Sequence, residues 1–263
     1  MSYKQDLHIH SWFSDGTMSP AQIIEKYAKE EYAVISITDH ERCDAIMEAE
    51  LLAKEKNMRV ITGIELATVM DGLELHILGY YFDRENKELK KELRRLAKAR
   101  EARNEIILEK LQAMGVEIDE DDLIKVPGQT YVGKPHFARA LVEKGYVPTI
   151  ADAFKPGQYL GTDEIQALDT ERMATQDAID LIKAAGGMAV LAHPCKIKGI
   201  GERKSDEFKK NFEELIKKLK KMGLKGLECI YPDHDVEDQW YFVGVAGKYH
   251  LHVTEGTDFH GYK

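Results

Sequence analysis

His8 and His10 stand two residues apart in Asp6-Leu7-His8-Ile9-His10, just ahead of Ser14-Asp15-Gly16. An extended strand alternates its side chains between faces, so both imidazoles project to one side and Leu7 and Ile9 to the other. Two imidazoles on one strand face form a grip for a transition metal. The competing reading is a polar pair at a strand mouth. Residues of the same kind recur down the chain: His40 after Ile37-Thr38-Asp39, Glu65 after Gly63-Ile64, and His76 within Glu74-Leu75-His76-Ile77. His193 follows in Ala192-His193-Pro194, and Asp258 and His260 close the series in Thr257-Asp258-Phe259-His260-Gly261. His76, between Leu75 and Ile77, also reads as a core histidine.

With Asp15 these make nine nitrogen and oxygen donors, more than one metal needs, and no cysteine joins them. Imidazole mixed with carboxylate suits Mn, Fe or Zn, and about three clustered divalent ions are the simplest account of so many donors. Such a centre does metal-assisted hydrolysis. It lowers the pKa of bound water and clamps attacking and leaving oxygens. The chain shows no Ser-His-Asp or GxSxG arrangement, no GxGxxG and no Walker-type loop.

The elements that must position these donors read as strands alternating with helices. Ser19-Pro20-Ala21-Gln22 supplies an N-cap, a proline at N1 and a capping-box glutamine, so a helix runs from Pro20 to about Glu30. Ala33 to Thr38 is an apolar run suited to a buried parallel strand, and it leads to His40. A helix from about Cys43 to Lys56 and a strand from Arg59 to Ile64, ending at Glu65, continue the rhythm. A further strand is expected over Leu73 to Phe82. Chemistry at successive strand ends is the habit of β/α folds.

The rhythm breaks at Asp83. A long charged helix is expected over 86–114, with an apolar stripe of Leu89, Leu93, Leu96, Ile106, Ile107 and Leu111. Its basic residues Arg94, Arg95, Lys98, Arg100 and Arg103 read mostly as a solvated face with i,i+4 pairs. Arg103 and Asn104, near its middle, are candidates to point inward. A helix opens at Gly133-Lys134-Pro135-His136 and runs to about Lys144, and 146–170 is irregular. Residues 84–172 therefore read as an inserted helical cap between 1–83 and 173–263. The rhythm resumes with helices over 175–185, 206–222 and 236–248 and strands over 188–192, 226–230 and 251–254. His234, and His250 and His252 in His250-Leu251-His252, are taken as structural.

The chain has 263 residues, of which 43% are apolar and 32% charged, with a formal net charge of -9. That balance is wrong for gripping long duplex nucleic acid through its phosphates. A small anion still fits where bound cations supply local positive charge. Cys43, Cys195 and Cys229 are far apart and odd in number, which fits a reducing compartment. The sequence from Met1 has no signal-peptide pattern and no long apolar run, so a cytoplasmic location and no membrane partner are expected.

His8-Ile9-His10, Ser14-Asp15-Gly16, Ile37-Thr38-Asp39-His40, Gly63-Ile64-Glu65, His76, Ala192-His193-Pro194 and Thr257-Asp258-Phe259-His260-Gly261 resemble, in order, the motifs of the PHP (polymerase and histidinol phosphatase) family of metal-dependent phosphoesterases. The resemblance implies an α/β fold, a distorted (β/α)7 barrel with a trinuclear metal site. His8, His10, Glu65 and Asp258 would hold one ion, Glu65, His76 and His193 a second, and Asp15, His40 and His260 a third. Mn is the expected metal, with Fe or Zn as alternatives.

Tyr131 to Leu141, with Gly145-Tyr146-Val147 and Ala184-Ala185-Gly186-Gly187, resembles the capped subgroup of nucleoside 3',5'-bisphosphate phosphatases and 5'-to-3' exonucleases on short oligonucleotides. That implies attack by a metal-bridging hydroxide on a nucleoside bisphosphate or short oligonucleotide. Lys134 and His136 would serve the phosphate or the leaving oxygen, and Arg103 and Asn104 would assist binding. The subgroup usually carries Arg where Lys134 stands. The alternatives are a histidinol phosphatase or another small-phosphoester hydrolase, and a non-catalytic metal-binding module. For His136 the competing role is a structural hydrogen bond at a helix start. Oligomeric state is open.

Overall fold

A computed structural model describes residues 4–126, 129–169 and 172–261. The chain begins with β1 (Gln5–Ile9), α1 (Pro20–Lys29), β2 (Val34–Ile37), α2 (Ala45–Glu55) and β3 (Arg59–Val60). β1, β2 and β3 form a parallel three-stranded sheet in that order. Ile9, Ile23, Ile24, Tyr27, Ile35 and Ile37 pack between this sheet and its helices. The expected capping box is present: the Ser19 side chain accepts from Gln22 N, and Gln22 accepts from Ser19 N.

The strand expected over 59–64 is two strands. β3 stops at Val60 and β4 (Gly63–Met70) starts a new sheet. Gly63 makes that break possible. A Cβ there would sit 2.1 Å from Ser36 Oγ, so only glycine lets β4 cross so close to β2. β4 turns at Asp71-Gly72 into β5 (Leu73–Tyr80), paired antiparallel from Gly63–Tyr80 to Met70–Leu73. Glu65 and His76 are therefore not at strand ends. They lie inside the two arms of a hairpin.

After β5 come α3 (Lys87–Ala113), the one-turn α4 (Glu120–Leu123), α5 (Lys134–Glu143) and the short α6 (Asp163–Gln166). α3 is capped by Asn86, whose side chain accepts from Leu89 N. Its 27 residues span about 40 Å. Leu89, Leu93 and Leu96 at its start pack on the main core. Ile107 and Leu111 near its end belong to a separate cluster with Val116, Phe137, Leu141, Leu160 and Ile165. Ile106, expected in the same stripe, is instead 41% exposed. The expected end of the insertion adjoins Thr170 and Glu171, which lie outside the described residues.

The chain then returns through β6 (Met173–Ala174), α7 (Thr175–Ala184), β7 (Met188–Leu191), α8 (Asp206–Met222), β8 (Gly226–Ile230), α9 (Val236–Lys248) and β9 (His252–Glu255). The second sheet runs β6-β4-β5-β7-β8-β9, with β5 antiparallel to both neighbours. Among the described residues the strands form two sheets, not one closed parallel ladder. Isolated parallel bridges at Ile9–Phe259 and His40–Glu65 join the two. No described helix is long and apolar enough to cross a membrane.

Candidate metal centre

β1 brings its two histidines together as expected, but Leu7 and Ile9 do not share one core: the ladder is irregular between Asp6 and Ile9, and Leu7 packs with Ile61, Leu78, Tyr80 and Val190. His8 and His10 are fully buried on one face, and Ile9 is buried on the other within the α1–α2 core. The loop after β1 carries Asp15, the turn after β2 carries His40, and β9 delivers Asp258 and His260. β4 and β5 add Glu65 and His76 from the hairpin, and β7 ends at His193.

All nine side chains meet. Their donor atoms form three groups, each within 4.8 Å: His8, His10, Glu65 and Asp258; Glu65, His76 and His193; and His10, Asp15, His40 and His260. Glu65 is central. Its Oε2 lies 3.3 Å from His8 Nε2, 3.2 Å from His10 Nε2 and 3.1 Å from His40 Nδ1. Its Oε1 lies 2.8 Å from His76 Nδ1 and 3.1 Å from His193 Nε2.

Burial alone would push the carboxyls of Glu65, Asp15 and Asp258 up, but the facing imidazoles hold all three well below the usual range. They stay ionised, as metal ligands must. Burial opposes protonation of His10, yet the adjacent Asp258 and Glu65 carboxylates bring it up to about 10. Burial takes His40 down to about 4.

The donor set fits divalent ions. His8 Nε2, His10 Nε2 and Asp15 Oδ1 are buried without a hydrogen-bond partner, and all three belong to the converging groups. Orphaned buried donors of this kind call for an unseen partner, and mixed nitrogen and oxygen ligands suit transition metals.

A layer of supporting groups was not singled out as functional from sequence. Glu228 on β8 places Oε1 3.0 Å from His8 Nδ1, and its Oε2 accepts from His193 N at 2.7 Å. Asp39 accepts from Ser11 N at 2.7 Å and from the Ser11 and Ser14 hydroxyls at 2.6 Å, fixing the loop that holds Asp15. Asp6 accepts from the Tyr27 hydroxyl at 2.7 Å and from Thr257 N at 3.0 Å, tying β1 to the segment before Asp258. Local signals existed for Asp39, beside His40, and for a Glu inside the apolar strand Gly226–Ile230. Their partners lie too far away in sequence to be read.

A cavity of about 570 Å³ opens beside the centre, lined by Asp15, His40, His76, Arg100, Arg103, Lys134 and Arg172, and by apolar Ile106, Phe154 and Leu168. Arg100 departs from the expected solvated face. It is buried, pairs with Glu41 next to His40, and lies 4.3 Å over the Tyr131 ring. Arg103 reaches the cavity, but Asn104 does not line it. The Asn104 amide donates to Val132 O at 2.7 Å and joins α3 to the segment before α5.

Lys134 lines the cavity, with Nζ 3.4 Å from Ile165 O. His136 is buried and does not line it. Its Nδ1 accepts from Gly133 N at 3.1 Å, the structural hydrogen bond weighed above. Arg139, not anticipated as a site residue, reaches from α5 to donate to Asp15 O. His234 is buried against Cys229 O, whereas His250 and His252 lie outside these groups.

Several known proteins are similar to this chain. A 5'-3' exoribonuclease of Haemophilus influenzae is 32% identical over 260 residues, covering 99% of this chain and 91% of the relative. A 3',5'-nucleoside bisphosphate phosphatase of Chromobacterium violaceum is 28% identical, covering 97% of this chain and 86% of the relative. The solved structure of an amidohydrolase from Chromobacterium violaceum, with bound sulfate and no metal, superposes with a TM-score of 0.84 at 26% identity. It covers 98% of this chain and 88% of that one. The PHP domain family matches residues 6–230. This chain belongs to the PHP domain family, and it is a hydrolase.

Proposed function

We propose that the enzyme is a metal-dependent phosphoesterase acting on a nucleoside 3',5'-bisphosphate, by removal of the 3'-phosphate, or on short oligonucleotides. The observation that carries this reading is the junction of two features. Three groups of buried donors converge, and they open on a cavity with cationic and apolar walls. Its volume, about 570 Å³, is in the range of small-molecule sites. Both named curated relatives act on substrates of this chemistry.

Each group would hold one divalent ion, Mn by preference, and those ions would supply charge neutralisation for the phosphoryl oxygens and a lowered pKa for water. The protein's own residues do the rest. Glu65 keeps the three groups in register. Arg103 and Lys134 give the cavity cationic groups for phosphate, beside Arg172 paired to Glu74, and Ile106, Phe154 and Leu168 give it an apolar wall for a base. His136 caps α5 and thereby fixes where Lys134 stands. The two sheets act as the walls of a distorted (β/α)7 barrel, and 84–172 as its recognition cap. Three free cysteines support a reducing, cytoplasmic setting.

The test is a substrate panel with Mn-loaded protein: adenosine 3',5'-bisphosphate, a short RNA and histidinol phosphate. Either nucleotide substrate should exceed histidinol phosphate by at least about tenfold in kcat/KM, a difference of about 1.4 kcal/mol. Chelation or Glu65→Gln should remove turnover by orders of magnitude. A preference for histidinol phosphate, or turnover that survives Glu65→Gln, overturns the assignment.

A further inference from the structure

The two oxygens of Asp258 live in different surroundings. Oδ1 faces the centre, 3.4 Å from His8 Nε2 and 3.2 Å from His10 Nε2. Oδ2 faces away and accepts from Lys196 Nζ at 2.8 Å and from the Tyr231 hydroxyl at 3.0 Å. The two donors brace each other, with the Lys196 ammonium 5.0 Å over the Tyr231 ring. They come from different elements. Tyr231 follows β8, and Lys196 ends the 3₁₀ turn Pro194–Lys196 that begins right after His193.

Asp258 needs such holding. Its backbone is left-handed at φ 53, and His193 is left-handed at φ 25. Non-glycine residues persist there only where surrounding contacts over-determine them. The Asp258 carbonyl is already taken by His260 Nδ1 at 2.7 Å. With Oδ2 doubly occupied, Oδ1 is the one carboxylate oxygen turned toward the orphaned nitrogens of His8 and His10.

We propose that Lys196 and Tyr231 are positioning residues that hold Asp258 in a one-oxygen presentation to a divalent ion and lock the His193 turn to the β9 end. The proposal rests on the metal-dependent reading above. Neither side chain is among the converging donors or the cavity lining. Partners behind a ligand carboxylate fix its orientation, and losing them typically costs about 10- to 100-fold in metal affinity.

The experiment is Mn(II) titration of chelator-treated protein, with free Mn followed by electron paramagnetic resonance, for wild type, Tyr231→Phe, Lys196→Met and Lys196→Arg. Tyr231→Phe removes one hydroxyl and leaves charge unchanged. It should weaken at least one class of Mn site by about tenfold or more, with the melting point of the metal-free protein unaltered. Lys196→Met should weaken the same class, and Lys196→Arg should restore most of it.

Mn affinities equal to wild type in both Tyr231→Phe and Lys196→Met overturn the proposal. So does tighter binding in Lys196→Met, which would mean that the lysine only repels the ion. A raised KM at saturating Mn with unchanged Mn affinity also overturns it, because Lys196 would then be a substrate contact. Wild-type protein that takes up no Mn is a distinct result: it overturns the metal reading itself, and this proposal with it.

Discussion

Glu228 Oε1 lies 3.0 Å from His8 Nδ1, with both side chains buried although they stand 220 positions apart in the chain. The same carboxylate accepts from His193 N through its other oxygen. One group thus sets the ring orientation of a β1 histidine and the start of the turn after β7. Gly256 sits against the pair. A Cβ there would fall 2.3 Å from His8 Cβ and 2.6 Å from Glu228 Oε1, so a side chain at 256 would displace one or the other.

Glu228→Ala is expected to strand His8 Nδ1 and His193 N in the interior. Breaking a buried pair of this type costs about 3–5 kcal/mol, which lowers the melting point by roughly 6 °C or more for a chain of this size. Mn affinity should fall about 10- to 100-fold. Glu228→Gln keeps hydrogen-bonding capacity and should lose less of both. Differential scanning calorimetry and Mn titration check this together. Unchanged Mn affinity in Glu228→Ala would remove Glu228 from the support of the centre.

Lys134→Ala should weaken kcat/KM for a nucleoside bisphosphate by about 10- to 150-fold, the worth of a charge-assisted phosphate contact of roughly 1.5–3 kcal/mol. Activity on p-nitrophenyl phosphate, which has no second phosphate, should change less. Lys134→Arg should retain or improve the bisphosphate activity, since a guanidinium adds a bidentate fork. Equal losses on both substrates would move Lys134 to the reacting phosphate, and no loss on either would leave it a solvated charge at a helix start.

His136 gives a pH signature. Burial, helped by the Arg139 charge, brings its pKa from 6.5 down to about 4. The unfolded chain therefore binds a proton here at a higher pH than the folded one does. The stabilising contribution is present above pH 6.5 and is lost as pH falls toward 4, by up to about 3 kcal/mol. His136→Gln preserves the capping-box acceptor without a titrating ring. Urea unfolding of chelator-treated protein at pH 7 and pH 4 should show wild type losing more stability than this variant. Parallel losses in the two proteins would count against the shift.

Much of this layout was legible. His8-Ile9-His10 announced its own geometry, because strand alternation is local. α8 and α9 matched their expected bounds, because capping residues and apolar periodicity agree there. The hairpin was less visible. Asp71-Gly72 was a turn signal between two apolar runs, but the run through Val60 and Ile61 concealed the break before Gly63, and Glu65 read as a strand end. His76 by itself read first as a core histidine, since alternation cannot say which face of β5 looks at the centre. Arg100 could not be told from its solvated neighbours on α3, because burial against Tyr131 is set by a segment about thirty residues on. Asp39, Glu228 and Lys196 act through partners that no local pattern reveals.

α3 carries one end of itself in each of two apolar clusters, Leu89, Leu93 and Leu96 in one and Ile107 and Leu111 in the other. Substitutions deep in either cluster are far apart and share no neighbours, so their effects should simply add. Epistasis is then expected at two places: the middle of that helix, around Arg100 and Arg103, where the cavity lies, and the contact of Arg139 on α5 with Asp15 O. Away from those two places the clusters can diversify on separate clocks.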